Sequence, residues 1–348
     1  AWDWAYYAEQ VRREKYALDE AQLKPYFALD TVLNDGVFWT ANQLYGITFI
    51  ERFDIPVYHP DVRVWEFFDH DGTGLALFYG DFFARESKSG GAWMGNFVEQ
   101  SMLNETRPVI YNVCNYQKPA QGQRALLLWD DVITLFHEFG HTLHGLFASQ
   151  RYATLSGTNT PRDFVEFPSQ INEHWASHPL VFARYARHVE TGERMPESLQ
   201  DKMQRASLFN KGYDMTELLS AALLDMHWHT LENGERILSV AEFEQCALTA
   251  EGLNISAVPP RYRSTYFAHI FGGGYAAGYY AYLWTQMLAD DGYQWFVENG
   301  GLTRENGQYF REAILSRGNS ADLHGLYPAW RGREPGINAM LRNRGLEQ

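Results

Sequence analysis

The sequence of 348 residues is 45% hydrophobic, which is enough apolar material for one large domain or for two lobes. Its formal net charge is −14 and it contains no basic block, so nucleic acid is not an expected partner. No apolar run approaches the roughly 18 residues of a membrane-spanning helix, so no membrane association is expected either.

Cysteine content and the first residues bear on the cellular compartment. Cys114 and Cys246 are the only cysteines, and without paired spacings they predict no disulfide framework. No signal peptide is visible, although a chain that lacked its own beginning could not show one. We therefore expect a reducing, cytoplasmic environment.

The first part of the chain predicts helices followed by a small sheet. Helical patterns cover residues 3–20 and 31–50. The second of these helices is predicted to end at Gly46. An alternating pattern follows in residues 62–67 and 75–79, which flank Asp-Gly-Thr-Gly and therefore predict a β-hairpin. Residues 107–113 add another strand.

A stretch of small residues at 89–97 allows two interpretations. As an exposed edge strand, it would let a peptide add by main-chain hydrogen bonds. As a plain flexible loop before a strand, it would have no such role. Under the first interpretation Ala92 and Gly95 are the candidate substrate-binding positions, because small side chains let another backbone approach.

Residues 130–145 predict one helix that carries His-Glu-x-x-His, with apolar residues recurring every three or four positions. His137 and His141 lie one turn apart on the same face, so both imidazoles can reach one ion. Glu138 is rotated by about 100° and flanks that ion. Two neutral imidazoles suit zinc, and the motif is typical of metallopeptidases. The predicted ends of the helix are Asp130 as N-cap and Gly145 as the C-terminal stop.

A catalytic zinc site needs a third protein ligand. The metzincin pattern is excluded, because the required third histidine is replaced by Phe147. The strongest candidate is Glu166, in a predicted helix over residues 162–175, where Glu173 lies two turns further on the same face and could orient a ligand histidine. His144 would rise too far along the first helix to complete a tetrahedron, so we expect it to be packed or hydrogen-bonded.

The remaining chain predicts helices over residues 175–192, 197–210, 214–232, 240–252, 275–290 and 304–316. Within it, residues 266–282 combine glycine with tyrosine. A loose Gly-x-Gly-x-x-Ala pattern at 272–277, with Asp291 downstream, formally resembles a dinucleotide fingerprint. That interpretation requires a preceding strand and a βαβ unit, and neither is predicted here.

The same segment suits a peptidase better. Tyr275, Tyr279 and Tyr282 fall at spacings of four and three, so their hydroxyls can point from one helical face. Amide hydrolysis produces an oxyanion that hydrogen-bond donors must stabilise. The neighbouring glycines would provide a loop that lets these groups close around a peptide.

Several of these motifs together resemble the thimet oligopeptidase family of zinc peptidases. They are residues 137–144 and the Phe-Val-Glu-Phe-Pro-Ser-Gln that contains Glu166. Residues 155–163 and 271–275 are more similar to the peptidyl-dipeptidase (dipeptidyl carboxypeptidase) branch than to the endopeptidase branch. The resemblance covers essentially the whole sequence.

The resemblance implies a mainly α fold with a small β-sheet, a zincin-type metallopeptidase catalytic region that lines a deep substrate channel. Residues 1–348 would form the catalytic, C-terminal part of a longer chain. Its N-terminal helical region, which this sequence lacks, would complete the channel.

The resemblance also implies the residue roles. His137, His141 and Glu166 would hold one Zn²⁺ per chain, and Glu138 would accept the proton of the attacking water and pass it to the leaving amine. Tyr282 would stabilise the oxyanion. The remaining implied contacts with substrate are those of His269, Tyr275 and Tyr279.

The activity implied first is release of dipeptides from the free C-terminus of short peptides. The alternative within the family is internal cleavage of oligopeptides. An alternative of a different class is a catalytically silent peptide-binding module, which would contain no zinc and would bind peptides in the presence of chelators.

Overall fold

The computed structural model describes residues 2–346. These residues are mainly helical and form one small mixed sheet, as the sequence predicted. The five strands of this sheet are β1 (Thr48–Glu51), β2 (Arg63–Phe68), β3 (Gly74–Phe83), β4 (Trp93–Val98) and β5 (Val109–Tyr116). Their spatial order is β1-β2-β3-β5-β4, with β3 and β5 parallel and the other neighbours antiparallel.

The described residues also form sixteen α-helices. They are α1 (Trp4–Tyr16), α2 (Glu20–Leu23), α3 (Leu29–Thr31), α4 (Trp39–Tyr45), α5 (Trp129–Leu146), α6 (Arg162–Val165), α7 (Phe167–Ser177), α8 (Pro179–Tyr185), α9 (Glu197–Ala206), α10 (Lys211–His229), α11 (Val240–Ala250), α12 (Ala268–Phe271), α13 (Ala281–Glu298), α14 (Arg304–Phe310), α15 (Leu323–Arg331) and α16 (Asn338–Asn343). Short 3₁₀ turns cover Lys24–Tyr26, Ala153–Leu155 and Ser264–Tyr266, and π-helical segments cover Val32–Phe38 and Arg311–Leu315.

The predicted hairpin is confirmed as β2 and β3. In its turn the Asp71 carboxylate accepts a hydrogen bond from the Thr73 amide at 2.8 Å, and Gly72 has a positive φ of 84°. The predicted end of the second helix at Gly46 is confirmed, since Gly46 ends α4 with a φ of 77°. Residues 48–50, which the helical pattern of residues 31–50 included, belong instead to β1.

The stretch of small residues contains an edge strand, so the loop interpretation applies only to its first four residues. Strand β4 pairs with β5 alone and lies at the end of the strand order. The Asn115 side chain holds the preceding loop, donating to the carbonyls of Ser89 and Gly91 at 2.8 and 2.7 Å.

The main core lies between the sheet and α5. Phe139 of α5 is at its centre, with ring centroids 5.5 Å from Phe38, 6.1 Å from Phe67 and 6.0 Å from Phe78. Burying such large aromatic side chains stabilises a fold by about 1.5–3 kcal/mol each. This packing therefore fastens the helix that carries His-Glu-x-x-His to a rigid sheet.

A second, smaller apolar cluster lies apart from the main core, on α10. Its buried members are Ala221, Ala222, Phe267, Ile270, Tyr275 and Tyr279. None of the helices formed by residues 2–346 combines the length and apolarity needed to cross a membrane.

Candidate active site

Helix α5 presents the first two candidate ligands, and its ends differ from those predicted. The N-cap is Leu128 rather than Asp130, because the Asp131 side chain accepts a hydrogen bond from the Leu128 amide at 2.9 Å. The helix also continues past Gly145 to Leu146. A Cβ on Gly145 would lie 2.7 Å from the Met94 side chain of β4, so this glycine serves close packing rather than termination.

Gly140, between the two histidines, lets α7 pack directly on α5. A Cβ at this position would lie 2.6 Å from the Pro168 carbonyl oxygen and 2.6 Å from the Ser169 Cα. The Asn172 side chain completes the contact by donating to the Phe136 carbonyl at 2.7 Å. Because the backbones of α5 and α7 are in direct contact here, the start of α7 lies close to His137 and His141.

Glu166 occupies the break between two helices, not the interior of one. The single helix predicted over residues 162–175 is divided into α6 and α7, with Pro168 in the first turn of α7. Proline is tolerated in a first turn, but it has no amide hydrogen with which to continue a helix that began before it. The break directs the Glu166 carboxylate toward α5.

His137, His141 and Glu166 converge as the sequence predicted. Ligand atoms of the three residues lie within 4.8 Å of one another. The Nε2 atoms of His137 and His141 lie 3.3 and 3.1 Å from the same oxygen of Glu166. Two imidazoles and one carboxylate around a common point fit a divalent ion such as zinc with one position left open.

The protonation of the cluster agrees with a cation site. Burial raises the pKa of Glu166, but the His141 charge and the hydrogen bonds from both imidazoles outweigh it and hold that pKa well below its ordinary value. Burial lowers the pKa of His137, whereas its hydrogen bonds with Glu166 and Glu173 raise it well above the usual range. The Glu166 carboxylate is therefore ionised, and it favours a positive charge between itself and the imidazoles.

Glu173 supports His137 from behind. Its carboxylate oxygen lies 2.7 Å from His137 Nδ1, so Nε2 is the atom that faces His141 and Glu166. Such a carboxylate fixes both the tautomer and the ring orientation of a ligand histidine. The two-turn spacing of Glu166 and Glu173 correctly indicated this contact, although a helix break intervenes.

Glu138 is buried beside the cluster with one unpaired oxygen. Only 4% of the residue is exposed, and its Oε2 has no hydrogen-bond partner within residues 2–346. Burial raises the pKa of Glu138, against the charges of His137 and His141, which lower it. A carboxylate with a free oxygen in this position is able to accept a proton.

His144 is packed rather than hydrogen-bonded. It is fully buried, its ring lies 6.4 Å from that of Phe164, and neither nitrogen has a partner among the described residues. Burial lowers the pKa of His144 to about 3. It is not part of the three-residue cluster.

The tyrosine-rich segment is not helical where a helix was predicted. Residues 272–280 form successive turns, and α13 begins only at Ala281. The tyrosines nevertheless meet, since the rings of Tyr275 and Tyr282 stack at 5.3 Å. The Tyr275 hydroxyl donates to Glu166 Oε1 at 2.8 Å and so connects this segment to the cluster.

His269 and Tyr279 complete the aromatic group. The Tyr279 ring lies 5.3 Å from Tyr282 and 5.5 Å from His269. His269 Nδ1 is buried without a hydrogen-bond partner in the described part of the chain. Burial, assisted by the Arg261 charge, lowers the pKa of His269. Its neutral form therefore predominates at neutral pH.

The two candidate residues of the edge strand are less directly connected. Gly95 lies against Tyr111 of β5, whose hydroxyl would be 2.3 Å from an added Cβ. Ala92 precedes β4 and packs against the main core. Strand β4 packs on α5 through Met94 and therefore borders the site. It is connected to the three ligands through α5 and not by direct contacts.

The structure adds residues that the sequence did not single out. Gln170 of α7 donates to the Tyr282 carbonyl at 3.1 Å. Gln170 is four residues after Glu166, so its shared helical face was a usable signal. Asp225, which contacts the tyrosine segment from α10, had no signal in the sequence.

Comparisons with known proteins show a peptidase family for this chain. The family model described as Peptidase family M3 matches residues 1–346. The chain is 83% identical over 348 residues to a dipeptidyl carboxypeptidase of Salmonella typhimurium, covering 100% of this chain and 51% of that protein. It is 80% identical over 345 residues to the Escherichia coli dipeptidyl carboxypeptidase, covering 99% and 51%.

A more distant relative is oligopeptidase A of Escherichia coli, 40% identical over 354 residues and covering 99% of this chain and 51% of that protein. The chain therefore spans about half the length of the curated relatives it matches.

Proposed function

We propose, since this chain belongs to peptidase family M3, that it carries the zinc-dependent active site of a peptidase that releases dipeptides from the C-terminus of short peptides. The observation that carries the proposal is the convergence of His137, His141 and Glu166 on one point, with Glu138 buried beside them. The relatives at 83% and 80% identity are both named dipeptidyl carboxypeptidase, which supports the release of dipeptides.

The metal would be held by the Nε2 atoms of His137 and His141 and by Glu166. A bound zinc ion supplies Lewis-acid chemistry, acidifying water and polarising a peptide carbonyl. The Glu173 carboxylate keeps His137 oriented for this role. Tyr275 and Ser169 donate hydrogen bonds to Glu166 at 2.8 and 3.2 Å, which restrains the third ligand in the same way.

Glu138 is the proposed general base. Its free carboxylate oxygen takes the proton of the attacking water and passes it to the leaving amine. Tyr282 would donate to the oxyanion that forms on the scissile carbonyl, because its ring stacks on Tyr275 beside the metal ligands. His269, Tyr275 and Tyr279 would contact the substrate backbone.

The substrate would lie along the edge strand β4. Its unpaired edge offers main-chain groups to an extended peptide, with Gly95 in the strand and Ala92 just before it as the candidate positions. We propose that these 348 residues form the zincin-type catalytic region, and that the half of the relatives' length outside the match completes a deep channel. Such a channel would exclude folded proteins.

A cytoplasmic location is part of the proposal. Cys114 is buried and Cys246 is exposed, and both are free thiols. Free thiols persist in a reducing compartment.

The test compares one peptide with a free and with an amidated C-terminus. We expect zinc-containing protein to release dipeptides from the free peptide and to lose most of that activity on the amidated one. Protein without zinc, or hydrolysis that a chelator leaves intact, would refute the metal assignment. Equal cleavage of both peptides at internal bonds would favour the endopeptidase alternative, which the 40% identity to oligopeptidase A supports.

A further inference from the structure

The tyrosine segment at residues 272–280 depends on neighbours for its shape. Three consecutive glycines begin it, and Ala277 adopts a left-handed φ of 51°. That conformation is unfavourable for a non-glycine residue, so surrounding contacts must maintain it. The segment carries Tyr275 and leads directly into Tyr282, so its position decides where both hydroxyls lie.

Asp225 of α10 makes contacts of this kind. Its side chain is fully buried, and its two oxygens accept hydrogen bonds from the amides of Ala277 and Tyr279 at 3.0 and 2.9 Å. His229, one turn further along α10, places Nδ1 2.7 Å from the same carboxylate. An ionised acceptor makes such hydrogen bonds about twice as strong as neutral ones.

The packing beside Asp225 is mainly apolar. Ala221 and Ala222 of α10 belong to one apolar cluster with Phe267 and Tyr279. Apolar packing is non-directional and does not define the rotation of a turn. The two hydrogen bonds to Asp225 are directional, and they hold the strained residue itself.

We propose that Asp225 is a positioning residue for the reaction: by binding the amides of Ala277 and Tyr279, it holds the tyrosine segment so that Tyr275 meets Glu166. The connection runs from Asp225 through the tyrosine segment to Glu166, and it ends in the hydrogen bond from the Tyr275 hydroxyl to Glu166 at 2.8 Å. The catalytic part of this inference rests on the function proposed above, whereas the structural part does not.

The main variant is Asp225→Asn, which preserves shape but replaces one accepting oxygen with a donor, so one of the two amide bonds is lost. The matched control is Asp214→Asn on the same helix, with the same change of charge at a side chain that is 52% exposed. The first readout is amide hydrogen exchange at Ala277 and Tyr279. We expect exchange there to accelerate about ten-fold in Asp225→Asn and to be unchanged in Asp214→Asn.

The second readout is a double-mutant cycle with Tyr275→Phe on purified, metal-loaded protein. Asp225→Asn should lower kcat by about ten-fold or more through a small misplacement of catalytic groups, with metal content unchanged. In the Tyr275→Phe background the further loss of kcat should be smaller than the loss in the unaltered protein, because the two changes share the connection to Glu166 and only the displacement of Tyr282 remains. A role in stability alone would make the two losses multiply.

The inference is overturned if exchange is the same in Asp225→Asn and Asp214→Asn, if kcat is unchanged in Asp225→Asn, or if the losses multiply. Failure of the proposed function would look different. The unaltered protein would then show no peptide hydrolysis, while the exchange experiment would still decide whether Asp225 holds the segment.

Discussion

Removing the carboxylate behind His137 should weaken metal binding without removing a ligand. In Glu173→Ala the His137 ring loses the partner that lies 2.7 Å from Nδ1, so the ring is free to rotate and its basicity falls. Loss of such a partner typically reduces metal affinity or activity by 10- to 100-fold, or about 1.4–2.7 kcal/mol. The Glu173 side chain is 25% exposed, so water replaces part of the interaction and we expect a change near ten-fold. Glu173→Gln should lose less, because the amide oxygen still accepts from Nδ1–H.

The assay is competition for zinc against a chromophoric chelator at fixed pH, followed by kcat at saturating zinc. The control is Glu251→Ala, which removes a carboxylate 2.9 Å from the His227 ring on the surface, away from the ligands. The expected order of zinc affinity is the unaltered protein, then Glu173→Gln, then Glu173→Ala. If Glu173→Ala binds zinc as tightly as Glu251→Ala does, the assigned role of Glu173 is wrong.

Three further changes test other parts of the structure. Glu138→Gln should keep its metal and lose turnover by about 10²–10⁴-fold, measured as kcat with zinc content determined in parallel. Tyr275→Phe removes the hydrogen bond to Glu166 and should lower kcat/KM about ten-fold while the metal content is retained. Hydrogen bonds from Arg311 hold the pKa of Asp69 below its ordinary value, so this pair stabilises the fold above about pH 3.9 and loses that effect as the pH falls further. Between pH 5 and pH 3 the free energy of unfolding, from urea titration, should therefore fall more in the unaltered protein than in Asp69→Asn.

Each of these expectations has an outcome that contradicts it. Near-normal turnover in Glu138→Gln would remove that residue from the proton transfer. Tyr275→Phe should differ from Tyr280→Phe, which alters a neighbouring exposed tyrosine, and equal kcat/KM in the two variants would argue against the contact with Glu166. If the free energy of unfolding falls equally with pH in the unaltered protein and in Asp69→Asn, the ion pair with Arg311 does not contribute to stability.

The local parts of the site were predictable from sequence. Helical periodicity places His137 and His141 on one face, and turn chemistry identifies the β2–β3 hairpin, because both signals arise within a few residues. Glu166 and Glu173 were also identified from the sequence, although Glu166 lies at a break between α6 and α7 and not within one continuous helix. Pro168 was the available signal for that break, because it has no amide hydrogen to continue the preceding helix.

Contacts between distant residues decided the rest. The parallel pairing of β3 with β5 and the approach of α7 to Gly140 depend on segments that share no local pattern. The tyrosine spacing predicted a helix from residue 275, yet the chain turns until Ala281, because Asp225 binds the amides of Ala277 and Tyr279. By itself the sequence determined that His137, His141 and Glu166 could share one ion. Only the tertiary structure decided how the tyrosines reach Glu166, since hydrogen bonds from a helix some fifty residues away override the local preference of this segment.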